Sequence, residues 1–313
     1  MIKFTGIAAC ASLIAIGGCS ANGVAPLGGQ TAETQSHAVG LSAPGWINEG
    51  GVLYHTPHYM ATAKNASRTK PPAILLIYGN GPVLVKPKMY LIFWGYKTYG
   101  DQYKVKKLLV NYGKVIGGSP LNNIYTQYSE VSSSNTIYIT NPKKQFGGVW
   151  EDDGNAVPLH PTDGQVAAEA LAGVAHFGYD PNGSYVVATP HGRSSSGFGS
   201  SFCAYHSAVS YNGKLISYTN LPYMPDANDC GSNVISPPSD EMAIDEGVTI
   251  VEGHEYAESV TDPIPPRGWY NNQYGEIGDI CAWQNIQNDP FHKKSYSSQP
   301  MYSNASQSCV HSY

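Results

Sequence analysis

The sequence predicts an α+β or α/β domain with a mixed β-sheet, packed helices and C-terminal loops that disulfides hold in place. Short segments rich in β-branched and aromatic residues, which are typical of strands, alternate loosely with stretches of helical periodicity. No internal repeat is visible. Charged residues make up 13% of the chain, whereas a typical soluble domain has about 25%. Because charge is sparse, a local cluster of acidic residues needs a specific explanation.

The predicted strands are apolar runs that end at glycine, proline or polar residues. Met89–Trp94 is the strongest of them, because a continuous apolar and aromatic run is typical of a strand buried on both faces. The other predicted strands are Ala73–Tyr78, Ile124–Tyr125, Thr136–Ile139, Tyr185–Ala188 and Leu215–Tyr218. Helices are predicted over Asp101–Val115, where apolar residues recur at helical spacing, and over Thr162–His176, which is rich in alanine.

Residues 1–19 have the layout of a bacterial lipoprotein signal peptide. Lys3 supplies a basic end, and Ile7–Ile16 form an apolar run that is too short to span a bilayer. Small residues then precede Cys19, which predicts that Cys19 becomes the lipidated first residue of the mature chain. The alternative is an ordinary cleavage near Ala21.

The rest of the chain divides into a tether and a globular part. Residues 20–70 are predicted to form a tether and an irregular N-terminal segment, and residues 71–313 a single globular α+β domain. The expected location is the outer membrane or the cell surface, reached only through a lipid anchor; otherwise the protein is secreted or periplasmic. A net charge of −5 gives no electrostatic footprint for nucleic acid, so no such partner is expected.

Four cysteines remain after the signal peptide, namely Cys203, Cys230, Cys281 and Cys309. An even number in an exported chain predicts two disulfides, for which three pairings are possible. Sequence order favours Cys203–Cys230 and Cys281–Cys309, and the second pair would hold the loop-rich C-terminal segment. A zinc site made of the four cysteines is the competing idea, but no two of them have the close spacing that such sites use.

The last predicted helix lies in an acidic segment of the chain. That helix is expected from about Pro237 to Thr261, where Asp262-Pro263 ends it. Ten of the 23 acidic residues lie between Asp240 and Asp279, and Arg267 is the only arginine or lysine there. Such an imbalance is self-repelling unless the acids face water or share a cation.

The helix carries the sequence His254-Glu255-Tyr256-Ala257-Glu258. In the metallopeptidase pattern His-Glu-x-x-His, two ligands at i and i+4 share one helix face and the glutamate beside them is the base. Here Glu258 takes the place of the second histidine, so we predict a zincin-like helix on which His254 and Glu258 bind zinc. Glu276 or Asp279 would supply the third ligand, and Glu255 would be the general base.

Other assignments of the same residues stay open. His206 is a further candidate ligand, because it lies close to a predicted disulfide cysteine. Calcium is an alternative ion, since Glu258, Asp262, Glu276 and Asp279 offer the oxygen ligands that it prefers. In a purely structural interpretation, His254 is a core histidine and Glu258 forms an ion pair with Arg267.

Several patches resemble the phosphate-induced protein 1 (EXORDIUM-like) family. The matching segments are Gly81-Pro82-Val83-Leu84 with Tyr90–Gly95, Phe202–His206, Thr261-Asp262-Pro263, Gly268-Trp269-Tyr270 and Glu276–Cys281. The resemblance extends in patches from about Tyr78 to Cys309. It implies secretion and a shared fold. Plant members of the family are extracellular and have no clear enzymatic activity, so the resemblance leaves catalysis open.

Two functions are therefore expected as alternatives. The first is a zinc-dependent, metallopeptidase-like hydrolase that acts on peptides. The second is a non-catalytic extracellular protein in which a structural zinc or calcium ion fixes the late loops to the helix. Such a protein could bind cell-surface polysaccharide, for which the many tyrosine and tryptophan rings offer stacking faces. Glu255 distinguishes the two, because a structural ion has no need of a base.

Overall fold

The structure, a computed structural model, describes residues 44–67, 73–132, 135–237, 239–240 and 243–313. The predicted signal peptide, the candidate lipidation site Cys19 and the first part of the predicted tether lie outside the described residues. Within the described ranges, none of the helices has the length and apolar character needed to cross a membrane.

The strands are β1 Trp46–Glu49, β2 Val52–His55, β3 His58–Ala61, β4 Ile77–Tyr78, β5 Lys88–Trp94, β6 Ser129–Ser132, β7 Asn135–Tyr138, β8 Phe146–Asp152, β9 Gly183–Ala188, β10 Phe202–Tyr211, β11 Lys214–Leu221, β12 Trp269–Tyr270, β13 Gln287–Phe291, β14 Lys294–Ser298, β15 Met301–Ser303 and β16 Ser308–Val310. The α-helices are α1 Tyr96–Tyr99, α2 Val105–Gly113, α3 Asp163–Phe177 and α4 Glu246–Thr261. Short 3-10 helices cover Asn122–Gln127, Met224–Asp226, Asn228–Cys230, Ala243–Asp245 and Asp279–Cys281.

A mixed sheet forms the centre of the fold, as the sequence predicts. Its strand order is β1-β2-β10-β11-β9-β5-β8, and β3 also pairs with β10. β11, β9, β5 and β8 run parallel to one another, whereas β10 pairs antiparallel with β11, β2 and β3, and β1 pairs antiparallel with β2. Small two-stranded sheets formed by the remaining strands lie outside it.

Helices cover both faces of this sheet. Alternate residues of β5 starting at Met89 pack in one apolar cluster together with α2 and α4, and the intervening residues starting at Tyr90 pack in a second cluster together with α3. The period of two in a strand sends successive side chains to opposite faces. A strand enclosed in this way reads as a continuous apolar run, which confirms the prediction for Met89–Trp94.

The predicted helix over Thr162–His176 is confirmed as α3. Its first turn is closed by a capping box, in which the Thr162 hydroxyl accepts from the Gln165 N–H and the Gln165 side chain accepts from the Thr162 N–H. Two of the free N–H groups at the helix start are thereby satisfied. The predicted helix over Asp101–Val115 is also present, although it is shortened to α2.

Two predicted strands are wrong. Ile124–Tyr125 lies in a 3-10 helix, since two apolar residues define no periodicity. Of Ala73–Tyr78, only the last two residues form a strand, β4. Before β4, a side chain and not a neighbouring strand satisfies a backbone hydrogen-bonding group: the Leu76 N–H donates to Asn304 Oδ1, 2.9 Å away.

The predicted irregular segment over residues 20–70 also needs correction. Its described part contains β1, β2 and β3, all of which belong to the central sheet. The final long helix begins at Glu246 and not near Pro237. The Glu246 carboxylate accepts hydrogen bonds from the N–H groups of Ile235 and Ser236, so it holds the preceding segment folded back as a loop.

Both predicted disulfides, Cys203–Cys230 and Cys281–Cys309, are present. They close loops with sequence separations of 27 and 28 residues. By loop-closure entropy, each contributes about 3.5 kcal/mol to the free energy of unfolding. Each also has a cysteine within three residues of a candidate ligand, because Cys203 precedes His206 on β10 and Cys281 follows Asp279. The disulfides therefore restrain the segments that carry these ligands.

Candidate metal centre

Helix α4 has no face in contact with solvent. All sixteen of its residues are buried, because the central sheet covers one side and α2 and β14 cover others. Its glutamates Glu252, Glu255 and Glu258 have no exposed surface. Placing an ionised carboxylate in such surroundings is costly unless a charge or hydrogen bonds compensate it.

The His-Glu-x-x-Glu sequence brings its outer residues together, as its spacing predicts. His254 Nε2 lies 3.1 Å from Glu258 Oε1 and 3.7 Å from Asp279 Oδ1. The Asp279 N–H donates to Glu258 Oε1 at 3.0 Å, which fixes the loop against the helix. The contact between His254 Nε2 and Glu258 does not have the geometry of a hydrogen bond. The other ring nitrogen, Nδ1, has no hydrogen-bonding partner either.

His58 also belongs to the cluster, although no motif in the sequence predicts it as a ligand. On the sheet, His58 of β3 is directly opposite His206 of β10, so both side chains point to the same face. The centroids of the two rings are 5.7 Å apart. His58 Nε2 is 2.7 Å from Asp279 Oδ2. Because β3 lies in the segment predicted to be irregular, this pairing was not expected from the sequence.

His206 is surrounded by oxygen atoms. Its Nδ1 lies 3.3 Å from Glu255 Oε2 and 3.4 Å from Glu258 Oε2. Its Nε2 lies 3.1 Å from the carbonyl oxygen of Asp262 and 3.3 Å from Glu276 Oε2. The ring has no exposed surface. Glu255, the predicted base, therefore faces His206.

The charges of His58 and Asp279 stabilise each other. Burial favours the neutral imidazole, but the Asp279 carboxylate outweighs it and raises the pKa of His58 to about 9. Conversely, burial opposes ionisation of Asp279, yet His58 lowers the pKa of that carboxyl to about 2. This pair lies at the partly exposed side of the cluster.

The deeper carboxyl groups are not compensated in this way. Burial, together with the neighbouring carboxylates, raises the pKa values of Glu255 and Glu276 well above their usual range. Burial also raises the pKa of Asp262 to about 7, although the N–H groups of Gly268 and Arg267 oppose it. One oxygen each of Glu255, Glu258 and Asp262, and both oxygens of Glu276, lack a hydrogen-bonding partner.

Two groups of residues have donor atoms close enough to hold a metal ion. Among the described residues these groups are His58, Glu258 and Asp279, and His206, Glu258 and Glu276; within each group the donor atoms lie within 4.8 Å of one another. Every predicted ligand is thus in or beside one cluster, and His254 touches the first group through Glu258 and Asp279. Glu258 forms ion pairs with His206 and His254. The ion pair with Arg267 that the structural interpretation predicts is not among them.

Gly278 explains why the loop comes so close to α4. A Cβ atom at this position would lie 2.7 Å from His254 Nδ1 and 2.9 Å from Glu258 Oε1. The backbone φ of −83° is one that any residue adopts, so glycine is required here for space and not for conformation. A larger residue would push the loop and its Asp279 away from the helix.

A pocket of about 560 Å³ opens over the cluster. His58 and Glu276 belong to its lining, together with Arg267. Pro57, Pro265, Pro266 and Tyr270 contribute apolar walls. Glu255 is not among the lining residues.

Comparisons of this chain with protein-family models, with curated proteins and with solved structures found no match. The resemblance to the phosphate-induced protein 1 family therefore stays a prediction. The geometry of the cluster is the basis for any functional conclusion.

Proposed function

We propose that this protein is a zinc-dependent hydrolase of the metallopeptidase type. His58, Glu258 and Asp279 would hold the ion, which adds His58 to the ligands that the sequence predicts, and His254 would lie beside them, 3.1 Å from Glu258 Oε1. Buried polar atoms without partners, among them both nitrogens of His254, support a cation here. Imidazole and carboxylate together suit zinc, whereas calcium takes oxygen ligands almost exclusively.

The pocket is the observation that carries the hydrolase proposal. A structural zinc site is closed by protein ligands, whereas a catalytic site keeps one position open to substrate. His58 and Glu276 line a pocket of about 560 Å³, so one side of the cluster is accessible. When bound, zinc lowers the pKa of a coordinated water to near neutrality and polarises a carbonyl group.

The general base is better assigned to Glu276 than to Glu255. Glu276 lines the pocket, and its Oε1 lies 4.0 Å from His58 Nδ1. Both of its oxygens are buried, and the carboxylate would take a proton from a water admitted through the pocket. Burial raises its pKa, so a bound ion would have to favour the carboxylate form before Glu276 accepts a proton and passes it to a leaving amine. Glu255 instead contacts His206 and would orient that ring.

The lining of the pocket supports a peptide substrate. Pro57, Pro265 and Tyr270 would pack against an apolar side chain, and Asn272 and Gln273 offer amides for hydrogen bonds to a peptide backbone. Arg267 supplies a positive charge for a carboxylate. Export through a signal peptide, with attachment at Cys19, is part of the same proposal and places the substrate outside the cytoplasm.

A structural ion is the second candidate, and the burial of α4 favours it. His254, Glu255 and Glu258 have no exposed surface. Such burial is expected if the ion only fixes the late loops to the helix. In this case the pocket would bind a ligand such as a surface polysaccharide, with Tyr270 as the stacking face.

Metal removal tests the proposal. The purified protein, its chelator-treated form and the same form resupplied with zinc are each incubated with a complex peptide mixture. Mass spectrometry then records new peptide termini. We expect cleavage in the first and third samples and none in the second.

If the protein retains zinc but creates no new peptide termini, the ion is structural and the hydrolase proposal is wrong. Absence of bound metal, with no zinc uptake after chelation, would contradict both candidates.

A further inference from the structure

We infer that the cluster binds a second divalent cation, held by His206, Glu276 and the Oε2 oxygen of Glu258. Glu258 then bridges two ions, with its Oε1 on the ion of the proposed function. The inference deepens that proposal and rests on it, because the two ions share this carboxylate.

The two oxygens of Glu258 face different partners. Oε1 lies 3.1 Å from His254 Nε2 and accepts from the Asp279 N–H. Oε2 points to the other side, 3.4 Å from His206 Nδ1, and has no hydrogen-bonding partner. A carboxylate placed in this way suits a pair of metal ions, which lie about 3.5–4 Å apart in two-metal hydrolases.

The surroundings of His206 favour a cation next to its ring. A neutral imidazole has one donor and one acceptor, yet each nitrogen of His206 faces two oxygen atoms. Whichever nitrogen carries the proton, the lone pair of the other faces oxygens. A cation between that nitrogen and the carboxylates of Glu258 and Glu276 removes this conflict.

A second proton on His206 would not be enough. Four carboxyl groups of the cluster have no exposed surface, namely Glu255, Glu258, Asp262 and Glu276. Among the described residues, histidines are the only side chains that form ion pairs with them. Two divalent cations would balance these four groups as carboxylates, whereas with one ion two of them would each need a proton.

A second ion is compatible with the role of Glu276 as base. Its Oε2 lies 3.3 Å from His206 Nε2, and its Oε1 lies 4.0 Å from the Nδ1 of His58, a residue that lines the pocket. One oxygen is therefore available as a ligand while the other accepts the proton. The second ion would also add positive charge next to the site where charge develops on the substrate carbonyl.

Metal stoichiometry tests the inference, with Zn²⁺ and Mn²⁺ alone as probes. We expect the wild-type protein to retain two equivalents of zinc after gel filtration. His206→Gln should retain one, and His160→Gln, a control at a histidine outside the cluster, should retain two. When manganese is loaded, electron paramagnetic resonance of the wild type should show an exchange-coupled pair.

The outcomes separate the two proposals. One equivalent in the wild type, or two without exchange coupling, overturns the second ion and leaves the hydrolase proposal intact. No bound metal overturns both. If His206→Gln does not fold, the wild-type stoichiometry and the coupling decide alone.

Discussion

Glu258→Gln is expected to remove tight metal binding and all hydrolytic activity. Glutamine keeps the shape of the side chain but loses the charge that both candidate ion positions share. Loss of a residue that merely orients a ligand already weakens metal affinity by about 10–100-fold, so loss of a shared ligand should cost at least about 100-fold. Zinc affinity is measured by competition with a chelating dye.

Thermal unfolding with and without zinc separates loss of binding from loss of the fold. Zinc should raise the Tm of the wild-type protein, because a ligand that binds only the native state stabilises it. It should leave the Tm of Glu258→Gln unchanged.

Glu252→Gln is the matched control on the same helix. Glu252 is as completely buried as Glu258, and neither of its oxygens has a hydrogen-bonding partner. It interacts with Tyr112, Tyr125 and Glu255, none of which is a ligand in the proposed function. Glu252→Gln should keep the zinc affinity of the wild type. Equal losses in both variants would mean that the helix, and not the cluster, determines binding.

Glu276→Gln should lower kcat by about 10²–10⁴-fold, the usual contribution of a general base. The ion at Glu258 and Asp279 should remain, because Glu276 is not one of its ligands. Glu255→Gln should change kcat by less than about tenfold, since Glu255 contacts His206 and does not line the pocket. Steady-state kinetics on a cleaved peptide, with the zinc content of each variant, give the comparison.

The reverse order of effects would return the role of base to Glu255, as the sequence alone predicts. Small effects of both substitutions, with zinc bound, would favour a structural ion. In that case the pocket beside His58 would bind a ligand without chemistry.

Features encoded by local sequence were predictable. The i, i+4 spacing of His254 and Glu258 depends only on the helix repeat, and it placed both in the cluster. The apolar run of β5 identified the centre of the sheet in the same way. The order of the four cysteines was sufficient to favour both disulfides.

Features that depend on long-range contacts were not predictable. His58 enters the cluster because β3 pairs with β10, and no pattern near His58 indicates that pairing. The direction of Glu255 depends on the position of His206, which another strand supplies. The complete burial of α4 could not be predicted either, since a helix with four glutamates looks amphipathic until the surrounding elements are known.

The central claim is that this cluster binds metal, and anomalous X-ray scattering tests it most directly. Crystals of the zinc-loaded protein are measured above and below the zinc absorption edge. The proposed function predicts an anomalous peak at bonding distance, about 2 Å, from Glu258 and Asp279. Zinc peaks at other places on the molecule, with none inside the cluster, would contradict it.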